Sequence, residues 1–226
     1  MLNDSTYFQN NISSNMKNNY YWTDDWSEQF YIELAKAGFI STSYDTVNGL
    51  VLLPELQYNY AVLYFENLHV SKKVKKLLKQ DDYELCVNTR FDEVIHNFSL
   101  QHKDNWLKGE YIEVLKKLHK NTNTKNNFEL ISVELVDKNT DELIAGEVGY
   151  IIGKTYTSLS GFSSKEKKYN NYGTLQLVLL AKYFQEKDFL FWNFGHPHME
   201  YKKRLGCVVY PRNEFLDIFH PVCNKF

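Results

Sequence analysis

Two polar side chains that could do chemistry stand in otherwise apolar stretches of this sequence. Glu147 lies in a β-prone run with glycines at 146, 149 and 153. If burial raises the pKa of its carboxyl group, it can accept a proton from an attacking amine. Asn193 lies in the apolar run 189–194, where its amide can donate a hydrogen bond to a carbonyl oxygen or an oxyanion. We predict that both residues are catalytic.

Each of the two residues also has a plainer interpretation. An outward-facing Glu147 would be an ordinary surface carboxylate, because alternation alone does not fix the side to which it points. A buried Asn193 amide must be hydrogen-bonded, so it could simply link neighbouring strands.

The elements around these residues follow a recognisable order. Alternating segments 129–136, 143–152 and 156–162 predict strands, and a loop ending at Gly173 leads into a helix at 174–184 and a buried strand at 189–194. The glycines indicate that something approaches the backbone closely. This order is typical of an acyl-transferase fold, in which a helix N-terminus holds an anionic or carbonyl-bearing donor.

Residues near the two candidates are assigned to substrate binding. Tyr150, Tyr156 and Phe162 are predicted to form a pocket for a transferred side chain. The remaining substrate-binding predictions are Trp106, Ser160 and Gly195.

The first half of the chain predicts helices and strands in alternation. Ser27 is a predicted N-cap of a helix that reaches Gly38, and segments 50–53 and 60–65 look like two strands of one sheet. Ser71 opens a basic helix, followed by a strand at 83–88 and helices at 92–100 and 109–119, with Trp106 between the last two.

The basic helix carries the strongest signal for a partner. Its lysines are Lys72, Lys73, Lys75, Lys76 and Lys79. Each phosphate that such a lysine neutralises releases a counterion, so the helix predicts salt-sensitive RNA binding, with Trp106 offering a stacking surface. The alternative is an ordinary solvated helix face. The net charge of −2 confines any nucleic-acid contact to a local patch.

Composition excludes several classes of protein. The 226 residues are 43% apolar, which is typical of a globular protein, and no run is long enough to span a bilayer. The three cysteines are scattered and form no Cys-x-x-Cys pair, which predicts a reducing, cytoplasmic location. His196 and His198 lack a third ligand, so no metal or cofactor is expected. We expect a monomer.

The predicted fold class is α+β, with a mixed sheet flanked by helices and preceded by a smaller α/β domain. Residues 1–21 are rich in asparagine and predict a disordered or loosely attached tail. Residues 22–120 form the predicted N-terminal domain with the basic helix, and residues 121–226 form the predicted transferase domain.

Short segments spread over residues 28–219 resemble the leucyl/phenylalanyl-tRNA–protein transferase family. Leu34–Ile40 is similar to a family helix, Glu66–Lys73 to its Leu-His-Ile-Ser-Arg block, and Asn105–Leu107 to its tryptophan segment. The other similar segments are Leu115–His119, Leu143–Gly149, Leu205–Cys207, Pro211-Arg212 and Phe215-Leu216.

The resemblance implies a C-terminal half with the acyltransferase fold called GNAT. It also implies transfer of Leu or Phe from an aminoacyl-tRNA to the α-amino group of a protein N-terminus. The lysines at 72–79 would meet acceptor-stem phosphates, and Trp106 would lie by the terminal nucleotide or the aminoacyl group. Leu159 and Asn193 stand where the family has acidic residues, and the family's glutamine is absent.

Two other functions remain open on the sequence. One is an N-acyltransferase of the GNAT type that uses an acyl-coenzyme A, whose anion would sit at the loop before the helix at 174–184. The other is a tRNA-binding relative that has lost catalysis, which the leucine at position 159 favours.

Overall fold

The computed structural model describes residues 5–101, 106–121 and 127–223, which form one large mixed sheet, a small hairpin and flanking helices. The strands are β1 (Ile40–Thr46), β2 (Gly49–Glu55), β3 (Asn59–Tyr64), β4 (Tyr83–Val87), β5 (Phe128–Asp137), β6 (Leu143–Ile152), β7 (Thr155–Ser163), β8 (Phe191–Asn193) and β9 (Val208–Pro211). The helices are α1 (Ser5–Tyr7), α2 (Glu28–Lys36), α3 (Lys72–Leu77), α4 (Phe91–Gln101), α5 (Glu110–Lys120), α6 (Tyr172–Glu186), α7 (Glu200–Leu205) and α8 (Arg212–Cys223).

Seven strands form the large sheet in the order β4-β5-β6-β7-β8-β3-β9. Strands β5, β6 and β7 make an antiparallel meander, as their alternating sequences predict. Both β5 and β6 are almost wholly buried, because helices cover both faces of the sheet. The predicted mixed α+β sheet flanked by helices is therefore confirmed.

The crossover from β7 through α6 to β8 makes the parallel pair of the sheet. This pair is short: Thr155–Thr157 lie beside Phe191–Asn193, and β7 then continues to Ser163 without pairing to β8. We call the place beyond Thr157 and Asn193, where the two strands part, the β7–β8 opening.

Helices cover both faces of the sheet, and each face has its own hydrophobic core. On one face, here called the α6 face, the buried side chains of α6 pack with Val74 of α3 and Leu205 of α7. On the second, the α5 face, the cores of α2, α4, α5 and α8 pack together. Two predicted caps are confirmed, since Ser27 Oγ accepts from Phe30 N and Ser71 Oγ accepts from Val74 N, each at 3.3 Å.

One sequence prediction in the first half is wrong, namely that two segments belong to the same sheet. Segments 50–53 and 60–65 are both strands, but β2 pairs with β1 in the hairpin whereas β3 lies between β8 and β9 in the large sheet. The prediction failed because strand β1, the true partner of β2, was not recognised. The serines and threonines of β1 look like those of a polar loop.

Part of the N-terminal segment contacts the folded core through Arg212, and the tail predicted for residues 1–21 stays a prediction. The guanidinium of Arg212, 1% exposed, donates to the carbonyl oxygens of Ser13 (3.3 Å), Asn15 (2.6 Å), Leu56 (2.5 Å) and Gln57 (3.0 Å). Residues 1–4 lie outside the described part of the chain.

The large sheet draws strands from both sides of the predicted boundary at residue 120. β3 and β4 precede that boundary, and both are hydrogen-bonded to strands that follow it. The division into an N-terminal and a transferase domain stays a prediction, and β3 and β4 are shared across it.

Candidate functional site

Glu147 is a buried carboxylate in the middle of β6. Its side chain points to the α6 face and is 3% exposed. Tyr156 Oη and Ser158 Oγ each donate to Oε1 at 2.8 Å, and Gln176 Nε2 of α6 donates to Oε2 at 3.4 Å. Burial raises the pKa of Glu147 to about 7, although these three donors oppose the rise. The carboxyl group therefore changes charge near neutral pH.

A glycine makes this carboxylate site possible. A Cβ on Gly149 would collide with the Tyr156 hydroxyl and would lie 2.5 Å from the carbonyl oxygen of Thr157. The missing side chain lets the Tyr156 ring lie over β6 and reach Glu147. The close approach that the glycines predict is confirmed here, and the approaching group is the protein's own tyrosine.

Ser158 lies between the carboxylate and the neighbouring strand β8. Its hydroxyl accepts a hydrogen bond from Trp192 Nε1 at 2.7 Å and donates its own proton to Glu147. Ser158 is also the first residue of β7 beyond the paired stretch. It therefore connects the β7–β8 opening with the buried carboxyl group.

Asn193 lies on the other face of the sheet from Glu147. It is paired with Thr157 and Val62, and Val62 belongs to the core of the α5 face. Asn193 Nδ2 is 3.5 Å from Thr157 Oγ1, and Oδ1 accepts from Gly195 N at 2.9 Å. The second contact holds the turn that ends β8, where Gly195 has φ +70.

An apolar pocket lies on the α5 face beside the β7–β8 opening. Its lining residues are Val94, Phe98, Trp106, Leu107, Leu115, Val148, Leu159 and Ser160. A bulge opposite Val148 and Gly149 inserts Leu159 into β7, so that Leu159 and Ser160 both reach the pocket. Among the predicted substrate-binding residues, the structure brings Trp106 and Ser160 together here.

Trp106 is fixed at the edge of this pocket. Its ring makes edge contacts with Phe98 and Tyr111 at centroid distances of 5.8 and 5.1 Å. The hydroxyl of Ser43 in β1 donates to its carbonyl oxygen. Asn105 of the same sequence segment lies outside the described residues.

The predicted three-ring pocket does not form. Tyr150 and Phe162 lie in the core of the α5 face, whereas Tyr156 lies in the core of the α6 face. Tyr150 Oη donates to the carbonyl oxygen of Phe39, and Tyr150 is not among the residues that line the apolar pocket. The prediction failed because the bulge in β7 puts Tyr156 and Phe162 on opposite faces, although their spacing is even.

Helix α7 contributes two residues that the sequence did not single out. Lys202 is 5% exposed, and its Nζ donates to the carbonyl oxygens of Phe194 (2.7 Å) and His196 (2.6 Å). Burial lowers the pKa of Lys202 to about 8. Burial and, secondly, the charge of Glu147 raise the pKa of Tyr201 above its ordinary value. The only sequence signal was the apolar spacing of the short helix.

The predicted basic helix is confirmed, and its lysines point to solvent. Val74 is the buried residue of α3, whereas Lys72, Lys73, Lys75, Lys76 and Lys79 are exposed. Because α3 packs on the α6 face and Trp106 on the α5 face, the lysines and this ring do not form one surface.

The histidines near the turn after β8 do not assemble a metal site. The rings of His196 and His198 lie 5.1 Å apart. Within the described residues, no group of three His, Cys, Asp or Glu side chains is placed to hold a metal ion. None of the helices in the described ranges is long and apolar enough to cross a membrane.

The structure defines an α+β protein whose mixed central sheet carries a small apolar pocket on its α5 face and a buried carboxyl group, that of Glu147, on its α6 face. Comparison with known proteins makes this class specific. The sequence model of the leucyl/phenylalanyl-tRNA protein transferases matches residues 62–220. The chain belongs to this family, and so to a family of aminoacyltransferases.

Individual relatives agree with the family match. A leucyl/phenylalanyl-tRNA–protein transferase of Flavobacterium johnsoniae is 29% identical over 163 residues, 70% of this chain and 70% of that protein. One of Campylobacter lari is 31% identical over 157 residues, 70% of this chain and 66% of that protein.

Among solved structures, a fungal GCN5-related glucosamine N-acetyltransferase region is similar at a TM-score of 0.48 and 9% identity. The likeness covers 84% of this chain and 22% of that chain. A TM-score below 0.5 supports no inference about this chain by itself.

Proposed function

We propose that this protein transfers an apolar amino acid, Leu or Phe, from an aminoacyl-tRNA to the α-amino group of a protein or peptide. The observation that carries the proposal is the family match over residues 62–220, which contains every residue that lines the apolar pocket. The relatives are leucyl/phenylalanyl-tRNA–protein transferases, a name that gives both the donor and the kind of acceptor.

The chemistry of the pocket supports an apolar amino acid. Seven of its eight lining residues are aliphatic or aromatic, and the eighth is Ser160. A charged side chain placed there would lose hydration without gaining a partner, which costs several kcal/mol or more. A leucine or phenylalanine side chain would instead gain about 25 cal/mol for each Å² of apolar surface it buries. The cavity has a volume of only about 10 Å³, room for about one water, so in this proposal the partly exposed side chains of Trp106 and Leu159 move apart to admit the aminoacyl group.

The reaction is the aminolysis of an ester. The incoming amine nitrogen forms a bond to the ester carbonyl carbon, and the tetrahedral intermediate then expels the 3′-oxygen of the tRNA. The amine must lose a proton, and the departing oxygen must gain one. Because the ester is already activated, holding donor and amine in contact at the β7–β8 opening would supply much of the rate.

We assign proton transfer to Ser158 and Glu147. In this proposal the Ser158 hydroxyl takes the proton from the attacking amine and passes its own proton to Glu147 Oε1, which lies 2.8 Å away. The protonated Glu147 returns this proton through Ser158 to the departing 3′-oxygen, so the step balances. A carboxyl group with a pKa of about 7 suits this role, because it exchanges protons readily at neutral pH. Asn193 would act from the opposite side of the opening, offering its remaining amide hydrogen to the carbonyl oxygen.

The other binding residues keep their proposed roles. Trp106 and Ser160 would contact the aminoacyl group in the pocket. Gly195 would act at the turn after β8, where its N–H donates to Asn193 Oδ1 and orients that amide toward the substrate. We assign the lysines of α3 to tRNA phosphates. We further propose that the protein works in the cytoplasm, as a monomer and without a cofactor.

A label-transfer experiment tests this function. The protein is incubated with tRNA carrying labelled leucine or phenylalanine and a peptide that begins with Arg or Lys. We expect label on the peptide's α-amino group. A folded protein that binds tRNA without any transfer would instead be a non-catalytic relative, and transfer from acyl-coenzyme A alone would make it an N-acyltransferase.

A further inference from the structure

Helix α7 extends the basic surface of α3 toward the β7–β8 opening. The two helices are far apart in sequence but adjacent in space, because His69 N, just before α3, donates to the carbonyl oxygen of Leu205 at the end of α7 at 2.9 Å. The fit is tight, since a Cβ on Gly206 would collide with the carbonyl oxygen of Asn67. Gly206 takes φ +103, a backbone conformation that favours glycine.

Two exposed cations of α7 lie beside this junction. Lys203 and Arg204 are both exposed, whereas their neighbours Lys202 and Leu205 are buried. Along the chain, Arg204 is one residue from Leu205, and Lys72 is three residues from His69. With about 3.5 Å per extended residue, the Cα atoms of Arg204 and Lys72 lie within roughly 20 Å of each other.

The exposed cations of α3 and α7 differ from other surface lysines in their ion pairing. Elsewhere on the surface, Lys168 pairs with Glu142 and Glu166, and Lys138 pairs with Asp81. In the described part of the chain, by contrast, no carboxylate lies within ion-pair distance of Lys203, Arg204 or the five lysines of the basic helix. The two helices, together with Lys79 just beyond α3, thus present seven exposed positive charges to an external anion.

The other side of α7 faces the opening. Tyr201 makes an edge contact with Phe194 at a centroid distance of 6.3 Å. It also lies near enough to Glu147 for the charge of that carboxylate to raise the pKa of Tyr201. The Nζ of Lys202 donates to the carbonyl oxygens of Phe194 and His196 in the segment that follows β8. One short helix therefore borders both the candidate site and the basic surface.

We propose that Lys203 and Arg204 bind backbone phosphates of the donor tRNA near its 3′ end, between the phosphates held by α3 and the ester at the β7–β8 opening. This inference rests on the proposed function, since it takes tRNA as the donor. The chemistry recognised is a run of phosphates, which the guanidinium and ammonium groups bind without reading bases.

Salt-dependent binding of uncharged tRNA tests the inference. The double variant Lys203→Gln/Arg204→Gln should lower the magnitude of the slope of log K against log [salt] by about 1.4 to 1.8, which corresponds to two lost phosphate contacts. The matched control is Lys117→Gln/Lys120→Gln. These residues are exposed on α5, on the other face of the sheet, and their loss changes the net charge equally. The control slope should equal that of the wild type.

Three results would overturn the proposal in distinguishable ways. If Lys72→Gln/Lys73→Gln lowers the slope but the α7 variant does not, α7 is outside the tRNA surface and the proposed function stands. If the α7 variant and the control lower it equally, the effect is one of net charge. If the wild-type protein binds no tRNA at low salt, the proposed function fails together with this inference.

Discussion

Glu147 and Asn193 lie on opposite faces of the same sheet, separated by β7. Tyr156 donates to Glu147 from one face of β7, and the next residue, Thr157, lies 3.5 Å from Asn193 on the other. The two side chains therefore share no closed cavity. In the proposed function, one substrate at the β7–β8 opening would reach Asn193 directly and Glu147 through Ser158, beyond the point where β7 and β8 are paired.

Replacing Glu147 by Gln should change how stability depends on pH. Burial raises the pKa of Glu147 from 4.5 to about 7, so the folded state holds a proton that the unfolded state has lost between these values. The stabilisation is complete below pH 4.5 and is lost as the pH rises to about 7. At about 1.4 kcal/mol per pH unit, the loss amounts to about 3 kcal/mol.

Urea unfolding of the wild type and Glu147→Gln at several values between pH 4.5 and 8 measures this effect. The difference between the two free energies of unfolding isolates Glu147, because the other titrating groups are common to both proteins. A difference that stays constant over this range would mean that Glu147 ionises at its ordinary pKa.

Replacing Ser158 by Ala should slow transfer without weakening tRNA binding. The hydroxyl is the proposed path from the opening to Glu147 Oε1, and general-base catalysis typically contributes 10²-fold or more. We expect kcat to fall about 10²-fold and KM for tRNA to stay unchanged. The pH dependence of kcat near 7 should also disappear. Steady-state rates across pH measure both.

A suitable control for that variant is Ser99→Ala, which removes an exposed hydroxyl from α4. Its rate and pH profile should match those of the wild type. If Ser158→Ala keeps the full rate, proton transfer does not pass through this residue, and positioning alone would carry the reaction.

Filling the pocket should block the donor amino acid. Leu159 lines the pocket and is only partly buried, so a larger side chain fits without disrupting the core. We expect Leu159→Trp to lower the transfer of leucine at least tenfold while tRNA affinity stays constant. Leu159→Met conserves the volume and should keep most of the activity. Equal rates for the two variants would place the aminoacyl group elsewhere.

Arg212 should prove essential for anchoring the N-terminal segment. Its buried guanidinium donates to four carbonyl oxygens, two of them in residues 13–15. Lysine lacks this planar fork, so Arg212→Lys should cost about 3 kcal/mol of unfolding free energy. It should also speed protease cleavage before residue 21. Arg204→Lys, at an exposed arginine, should change stability by less than about 0.5 kcal/mol.

Local signals in the sequence were enough to predict most of the elements. The caps at Ser27 and Ser71 fixed two helix starts, and clean alternation fixed the meander of β5, β6 and β7. Helix α8 was missed, although Phe215 and Phe219 give it an apolar stripe. The hairpin strand β1 was missed because Ser41 and Ser43, both buried, resemble a polar loop.

The candidate site was harder to predict because its geometry depends on contacts distant in sequence. Trp106 was recognised, but its pocket partners Val94, Phe98 and Leu115 look like ordinary core positions of two helices. The direction of Glu147 was undetermined, since one bulge in β7 shifts the pattern by a residue. Gly149 marked a close approach without revealing that Tyr156 was the approaching group.

The central claim is that the apolar pocket beside the β7–β8 opening holds the side chain of the donor amino acid. Its most direct test is to measure transfer rates from one tRNA charged in turn with leucine, phenylalanine, lysine or aspartate, to one peptide with an N-terminal arginine. We predict efficient transfer of leucine and phenylalanine, and rates for lysine and aspartate that are at least 100-fold lower. Equal rates for all four, or a preference for a charged side chain, would contradict the account.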